Sequence, residues 1–338
     1  MTEAFYYTKK ENQKVQCALC PHQCVIMPGK SGICKVRKNE NGRLIASSYG
    51  LISSMGFDPI EKKPLYHFYP GAEILSVGSI GCNLTCDFCQ NWQISQTSAE
   101  DFGQEGKLFF PEQIAQIAQS EANNLGVAYT YNEPTVFYEF MLRTAEKVKE
   151  NNQKNVMVTN GFIKTKPLDQ LHRVIDAYSV DLKAFHNDFF VKYTRSQLEP
   201  VKQTIRNIAA AGKHLEITNL VIPSLNDHPE EFEQMVKWIA QNTGKETVLH
   251  ISRYYPTYKL SIEGTPVSKL RELKQIADHY LSYVYMGNIQ MPEGNNTCCW
   301  KCGEPVINRE GYRVKKRSLT PEGACKKCGN PILKFYNE

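Results

Sequence analysis

Between Glu73 and Ile289 the chain alternates between two hydrophobic periods. Short apolar runs rich in Val, Ile and Tyr read as strands: EILSVGS (Glu73–Ser79), VAYTY (Val127–Tyr131), NVMVT (Asn155–Thr159), YSVDL (Tyr178–Leu182), HLEITNLVI (His214–Ile222) and TVLHIS (Thr247–Ser252). Between them lie stretches of helical period. One starts at Pro111, a favoured first-turn position, and sets Ile114, Ile117, Ala118 and Leu125 on one face. Another sets Phe137, Phe140, Met141, Ala145 and Val148 on one side; further helices follow Pro167, end at Gly212, run from Pro229 to Ala240, and cover Val267–Tyr280. YVYMGNI (Tyr283–Ile289) offers one more strand.

Strict strand–helix alternation predicts an α/β fold with a parallel sheet and helices outside it. About six such units fill roughly 210 residues, against about 250 for an eight-unit barrel. The expected architecture is therefore a partial six-stranded (β/α)6 barrel. An open doubly wound sheet is the alternative that periodicity leaves open.

Composition narrows the class. Hydrophobic residues make up 41% and charged residues 22%, the profile of a globular chain rather than a disordered one. No apolar run has the length to cross a bilayer. The N-terminal stretch MTEAFYYTKKENQKVQC lacks the apolar core of a signal peptide. The expected location is the cytoplasm, where thiols stay reduced and twelve cysteines point to metals rather than disulfides. From Thr297 onward Lys and Arg outnumber Asp and Glu nine to four, so the whole net charge of +5 sits in the last 42 residues. That basic end suits an acidic protein surface or plain solvation, and nucleic acid is not the expected partner.

The cysteines divide the chain into an N-terminal Cys-rich segment with its lead-in loop (1–70), a barrel (71–290) and a C-terminal module (291–338). The middle group is the most informative: GCNLTCDFCQNW places Cys82, Cys86 and Cys89 within eight positions, directly after the first strand. A closed tetrahedral zinc site takes four ligands. Cubic four-iron clusters take one thiolate per iron, so three cysteines leave one iron open to a small molecule.

CNLTCDFC, with Phe88 before the last cysteine, resembles the C-x3-C-x-aromatic-C signature of the radical S-adenosylmethionine (SAM) superfamily. The resemblance implies a [4Fe-4S] cluster whose open iron is chelated by SAM. One electron would cleave the sulfonium to methionine and a 5'-deoxyadenosyl radical that abstracts hydrogen from a substrate. DPIEKKPLYHFYPG (Asp58–Gly71), the trio, CALCPHQCVIMPGKSGICKVR and the C-terminal module together resemble the radical SAM enzymes of the AmmeMemoRadiSam system, relatives of the pyruvate formate-lyase activating enzymes. That family implies an oxidoreductase acting on a protein, by glycyl-radical activation or peptide modification. It also implies a low-potential donor such as flavodoxin or ferredoxin, and Memo-like and AMMECR-like proteins as partners.

Chemistry in parallel barrels sits at the C-terminal ends of strands. YNEP, with Glu133, resembles the GGEP motif that receives the SAM amino group, with Tyr131 and Asn132 in place of its glycines. Glu133 also suits a helix start. Asn160 in TNG, and Asp181 with Lys183 in DLK, resemble residues lining the SAM pocket, the lysine meeting the SAM carboxylate. An Asp–Lys salt bridge serves structure equally well. His250 and Arg253 in HISRYYP are further candidates for adenosine or substrate.

At the C-terminus, Cys299/Cys302 and Cys325/Cys328 form two C-x2-C knuckles, each followed by glycine, and predict a zinc-ribbon-like domain. Cys298 is left over. At the N-terminus, Cys17, Cys20, Cys24 and Cys34 suit structural zinc, which short knuckles more often hold, or a second cluster, which would suggest an electron relay. An iron–sulfur electron carrier and a zinc-stabilised adaptor are the competing classes. Neither explains polar residues gathered at the strand ends.

Overall fold

The computed structural model describes residues 2–103, 107–289 and 294–336. Its centre is an eight-stranded sheet: β1 (Ser54–Pro59), β2 (Glu73–Gly78), β3 (Asn124–Tyr129), β4 (Lys154–Thr159), β5 (Ala177–Asp181), β6 (His214–Val221), β7 (Val248–Arg253) and β8 (Val284–Gly287). Spatial order follows chain order, from β1 at one edge to β8 at the other. β2 to β8 are parallel throughout, and β1 pairs antiparallel with β2. Among the described residues the two edge strands do not pair with each other.

The sheet exceeds the expected six strands at both edges. β8 is the extra run foreseen in YVYMGNI. β1 was invisible to a search for alternating units because no helix separates it from β2. β3 begins earlier than expected and stops at Tyr129, since Tyr131 turns into the left-handed region (φ 68°). The expected boundary between barrel and C-terminal module falls at residues outside those described.

Six helices cover the sheet: α1 (Pro111–Ser120), α2 (Tyr138–Glu150), α3 (Thr165–Leu171), α4 (Leu198–Ala210), α5 (Pro229–Thr243) and α6 (Val267–Asp278). Each turns its apolar stripe inward. In α1 this buries Ile114, Ala115 and Ala118, and in α5 Phe232, Met235, Val236 and Ile239. Each large side chain so buried stabilises the fold by about 1.5–3 kcal/mol. No described helix is long and apolar enough to cross a membrane.

The N-terminal segment forms two small antiparallel sheets and docks on α2 through a buried ion pair. Arg37 Nη1 lies 3.0 Å from Glu139 Oε1, which also accepts from the Phe5 amide at 2.6 Å. The C-terminal module is a three-stranded antiparallel sheet, Thr297–Cys298, Pro305–Glu310 and Arg313–Lys316. Arg309 anchors it, donating to Thr297 Oγ1 and the Tyr66 carbonyl at 2.8 Å each while lying over the Tyr66 ring.

Polar residues inside the sheet are arranged in layers. On β6, His214, Glu216, Thr218 and Leu220 share one face by strand period. The buried Glu216 carboxylate accepts from the amides of Tyr66 (2.9 Å) and His67 (2.7 Å) and bonds to His214 Nε2 (2.9 Å) and His250 Nε2 (2.7 Å). The lead-in loop is thereby held inside the sheet beneath the layer that forms the functional site.

Candidate active site

At the C-terminal ends of β2 to β8 lies a cleft of about 1640 Å³, its open mouth included. Cys82, Cys86 and Cys89 line it, as do Phe88, Glu133, Asn160, Asp181 and Lys183. Eight of the nine residues expected at the cofactor site are thus brought together from four strand ends.

The loop bearing the trio is held independently of its thiols. Gly81 has φ 80°, and a β-carbon there would lie 2.6 Å from the Cys34 carbonyl oxygen, so only glycine fits. Asn132 accepts from the Ser79 amide (3.0 Å) and donates to the Gly81 carbonyl (2.9 Å). The Thr85 and Asp87 amides donate to the Thr194 and Tyr193 carbonyls, and Arg195 pairs with Asp87 at 2.8 Å. The Leu84 amide points at Cys82 Sγ, 3.3 Å away.

Burial pushes the Cys82 and Cys86 thiols up, Cys86 to about 12 although the Lys183 charge pulls it down. Thiolate, the ligating form, therefore needs a cation in this site to stabilise it. No other cysteine or histidine is among the residues lining the cleft. The carboxylates there are committed elsewhere. Glu133 accepts from the Thr135 amide and hydroxyl and the Thr159 hydroxyl at one oxygen, and from the Asn160 amide at the other. Asp181 lies 2.7 Å from Lys183 Nζ. Three protein thiols, with no fourth cysteine and no histidine among the described residues lining the cleft, fit a cluster with one open corner.

Asn160 acts on the trio as well as on the cleft. Its Nδ2 donates to Asn83 Oδ1 at 2.9 Å and points at Cys82 Sγ, 3.8 Å away. Lys183 is held protonated: burial works against its charge, and the Asp181 carboxylate outweighs it. Tyr131, in place of the first glycine of a GGEP motif, takes the left-handed backbone of a glycine, and its hydroxyl donates to Asp58 at 2.8 Å.

His250 is the exception. It sits two residues before Ser252 on the same face of β7, one layer deeper, where Glu216 and the rings of Tyr66 and Tyr285 surround it. Ser252 lines the cleft instead. Strand period contained that choice, but only the depth of the cleft decides it. Arg253 turns to the Thr265 carbonyl and the Tyr255 hydroxyl.

Sequence reasoning missed a second charged group in the cleft. Asp58 accepts from Lys62 (2.9 Å), Lys63 (2.8 Å) and Tyr131; these bonds outweigh burial and hold its carboxyl well below the usual range. Asp58, Lys62 and Lys63 all lie inside the quoted signature, and the bond of Asp58 to Tyr131 needed β1 to pair with β2. Tyr312, from the tip of the C-terminal hairpin, also lines the cleft.

Of the remaining cysteines, Cys299, Cys302, Cys325 and Cys328 bring their sulfurs within 4.8 Å of one another, with Cys299–Cys328 at 3.6 Å and Cys302–Cys325 at 3.7 Å. Cys17, Cys20, Cys24 and Cys34 line a separate, smaller cavity beside the trio loop. Cys298 is exposed.

Comparison with known proteins agrees with this geometry. The profile of the Radical SAM superfamily matches residues 77–239. An uncharacterized protein of Methanocaldococcus jannaschii is 41% identical over 335 residues, covering 98% of this chain and 99% of its own. A pyruvate formate-lyase-activating enzyme of Staphylococcus epidermidis is 23% identical over 168 residues, 47% of this chain and 66% of its own. The crystal structure of a radical SAM methyltransferase from Sphaerobacter thermophilus shares the fold with a TM-score of 0.52 at 17% identity, covering 65% of this chain and 67% of that one. With its three cysteines at the head of a parallel α/β sheet, the chain belongs to the radical SAM superfamily.

Proposed function

We propose that the protein is a radical SAM enzyme of the activating or peptide-modifying kind, with a [4Fe-4S] cluster on Cys82, Cys86 and Cys89 and SAM beside it in the cleft. One observation carries this reading: three thiols, that of Cys86 buried and those of Cys82 and Cys89 partly so, open onto a large cleft whose lining offers no fourth cysteine and no histidine. Held by Cys82, Cys86 and Cys89, such a cluster would supply the one electron needed to cleave the SAM sulfonium and so the radical that abstracts hydrogen from a substrate.

The chain's own residues position and shield. Lys183, held charged by Asp181, offers a cation for the carboxylate of an amino acid. Glu133 fixes the Asn160 amide, and Asn160 in turn aims its side-chain amide at Cys82; hydrogen bonds to cluster sulfurs tune potential. Phe88, packed on Phe189 and nearly inaccessible, keeps water from the inner side of the loop.

A protein or peptide is the proposed substrate. Trp92 and Tyr258 stack at 5.1 Å, half-exposed, just beyond Gln90 and Asn91 on the rim. Exposed stacked rings of this sort suit a polypeptide more than a small polar metabolite. The test is anaerobic reconstitution with iron, sulfide, SAM and a low-potential reductant, assayed for 5'-deoxyadenosine. Adding Memo-like and AMMECR-like proteins tests them as partners or targets. Cleavage of SAM is the expected result, and a cluster indifferent to SAM sinks the proposal.

We also propose zinc at the four C-terminal cysteines. Tetrahedral zinc with bonds of about 2.3 Å separates its sulfurs by about 3.8 Å, close to the spacing found here. Elemental analysis should find about one zinc per chain. Cys325→Ser, at the buried knuckle, should lose it and loosen the Arg309 anchor, read as a lowered melting temperature.

A further inference from the structure

We infer that Cys17, Cys20, Cys24 and Cys34 hold a second iron–sulfur cluster of the four-iron class, rather than the zinc that their short knuckles suggest. All four thiols line one cavity, whose other walls are chiefly the apolar Leu19, Ile26 and Val136. None is in a disulfide. A single ion draws its ligands together, whereas a cube with a metal at each liganding corner holds them much farther apart.

The molecule contains its own standard for a single-ion site. The C-terminal four have the spacing of a single ion. Among the described residues, no other three cysteines, histidines or carboxylates come within 4.8 Å of one another. The N-terminal four thus face one cavity without any three of them closing to that distance. The trio Cys82, Cys86 and Cys89 likewise does not close to that distance, and that half of the comparison rests on the function proposed above.

The site is also built onto the catalytic loop. Cys82 lines the active-site cleft, while its neighbour Asn83 lines the N-terminal cysteine cavity. Glu133 and Thr135 divide in the same way, joined by the bond from the Thr135 hydroxyl. His22, between Cys20 and Cys24, bonds through Nε2 to the Asn83 carbonyl at 2.7 Å and packs edge-on against Phe162. Gly81 lets the trio loop press against the Cys34 carbonyl. A structural knuckle elsewhere on the surface would need none of these contacts.

The test uses full-length protein reconstituted anaerobically with iron and sulfide, followed by iron, sulfide and zinc analysis and electron paramagnetic resonance after reduction. Wild type should hold about eight iron atoms per chain, in two four-iron clusters. The triple variant Cys82→Ala, Cys86→Ala, Cys89→Ala should keep about half of that iron, with a reduced-state signal that SAM does not alter. The double variant Cys20→Ala, Cys24→Ala should lose about half while keeping the SAM-responsive signal. A triple variant carrying a second zinc and no iron, or a double variant with undiminished iron, overturns the inference. Failure of the catalytic reading looks different: the triple variant would then match wild type and the double variant would hold no iron.

Discussion

Cys86→Ala should abolish SAM cleavage and leave the protein folded. Its sulfur is one of three candidate iron ligands, and the family implies that the cluster and SAM together carry the chemistry. The loop does not depend on it. Gly81, Asn132 and the amides of Thr85 and Asp87 hold the backbone through bonds that alanine leaves intact. Removing one buried sulfur atom should cost about 1 kcal/mol in packing. The measurement is 5'-deoxyadenosine formation after reconstitution, beside iron content and thermal melting. Cleavage persisting in the variant would remove the trio from the mechanism. Loading should also weaken in acid, because burial keeps Cys82 and Cys86 protonated until metal displaces the protons.

Glu216→Ala should be among the most damaging substitutions outside the cleft. It strands two backbone amides and leaves His214 and His250 without their buried acceptor. Breaking such a buried charged network costs about 3–5 kcal/mol. That corresponds to a fall in melting temperature on the order of 10 °C. Glu216→Gln, which keeps the shape and one acceptor, should lose less. Unchanged melting in the alanine variant would mean that the lead-in loop is held by other contacts.

The same network sets the response to acid. Burial opposes the Glu216 charge, but the bonds from His214 and His250 outweigh it and hold the carboxyl well below its ordinary value. The unfolded chain takes up that proton first, near pH 4.3, so the stability this group contributes is complete above that pH and is lost below it. Burial also holds His67 at about 3, well below its ordinary value. His67 is neutral in the fold, so its contribution is complete above about pH 6.5 and falls as the unfolded chain becomes protonated. Stability should therefore be flat near neutrality, decline below about pH 6.5, and steepen below about pH 4.3. Glu216→Ala should remove the steep part, as read from melting curves across pH.

Much of the candidate site was legible because its signals are local. The spacing of Cys82, Cys86 and Cys89, the strand before them, and Asp181 and Lys183 two residues apart all lie within a few residues of chain. Strand and helix periods are local too, and they placed Glu133 and Asn160 at strand ends. Depth is not local, which is why His250 was expected at the cofactor and Ser252 was overlooked. The Asp58–Tyr131 bond, spanning 73 residues, left no trace in either segment alone.

Residue order by itself determined the parallel α/β architecture, the trio and its loop, and the paired C-terminal knuckles. Each follows from backbone period or from ligand geometry within one short segment. Tertiary structure alone decided that β1 closes the edge beside β2, that Glu216 claims His250, and that the N-terminal cysteines stand against the loop of the trio. These depend on which distant surfaces can exclude water together and share their buried hydrogen bonds, a property of the packed chain as a whole.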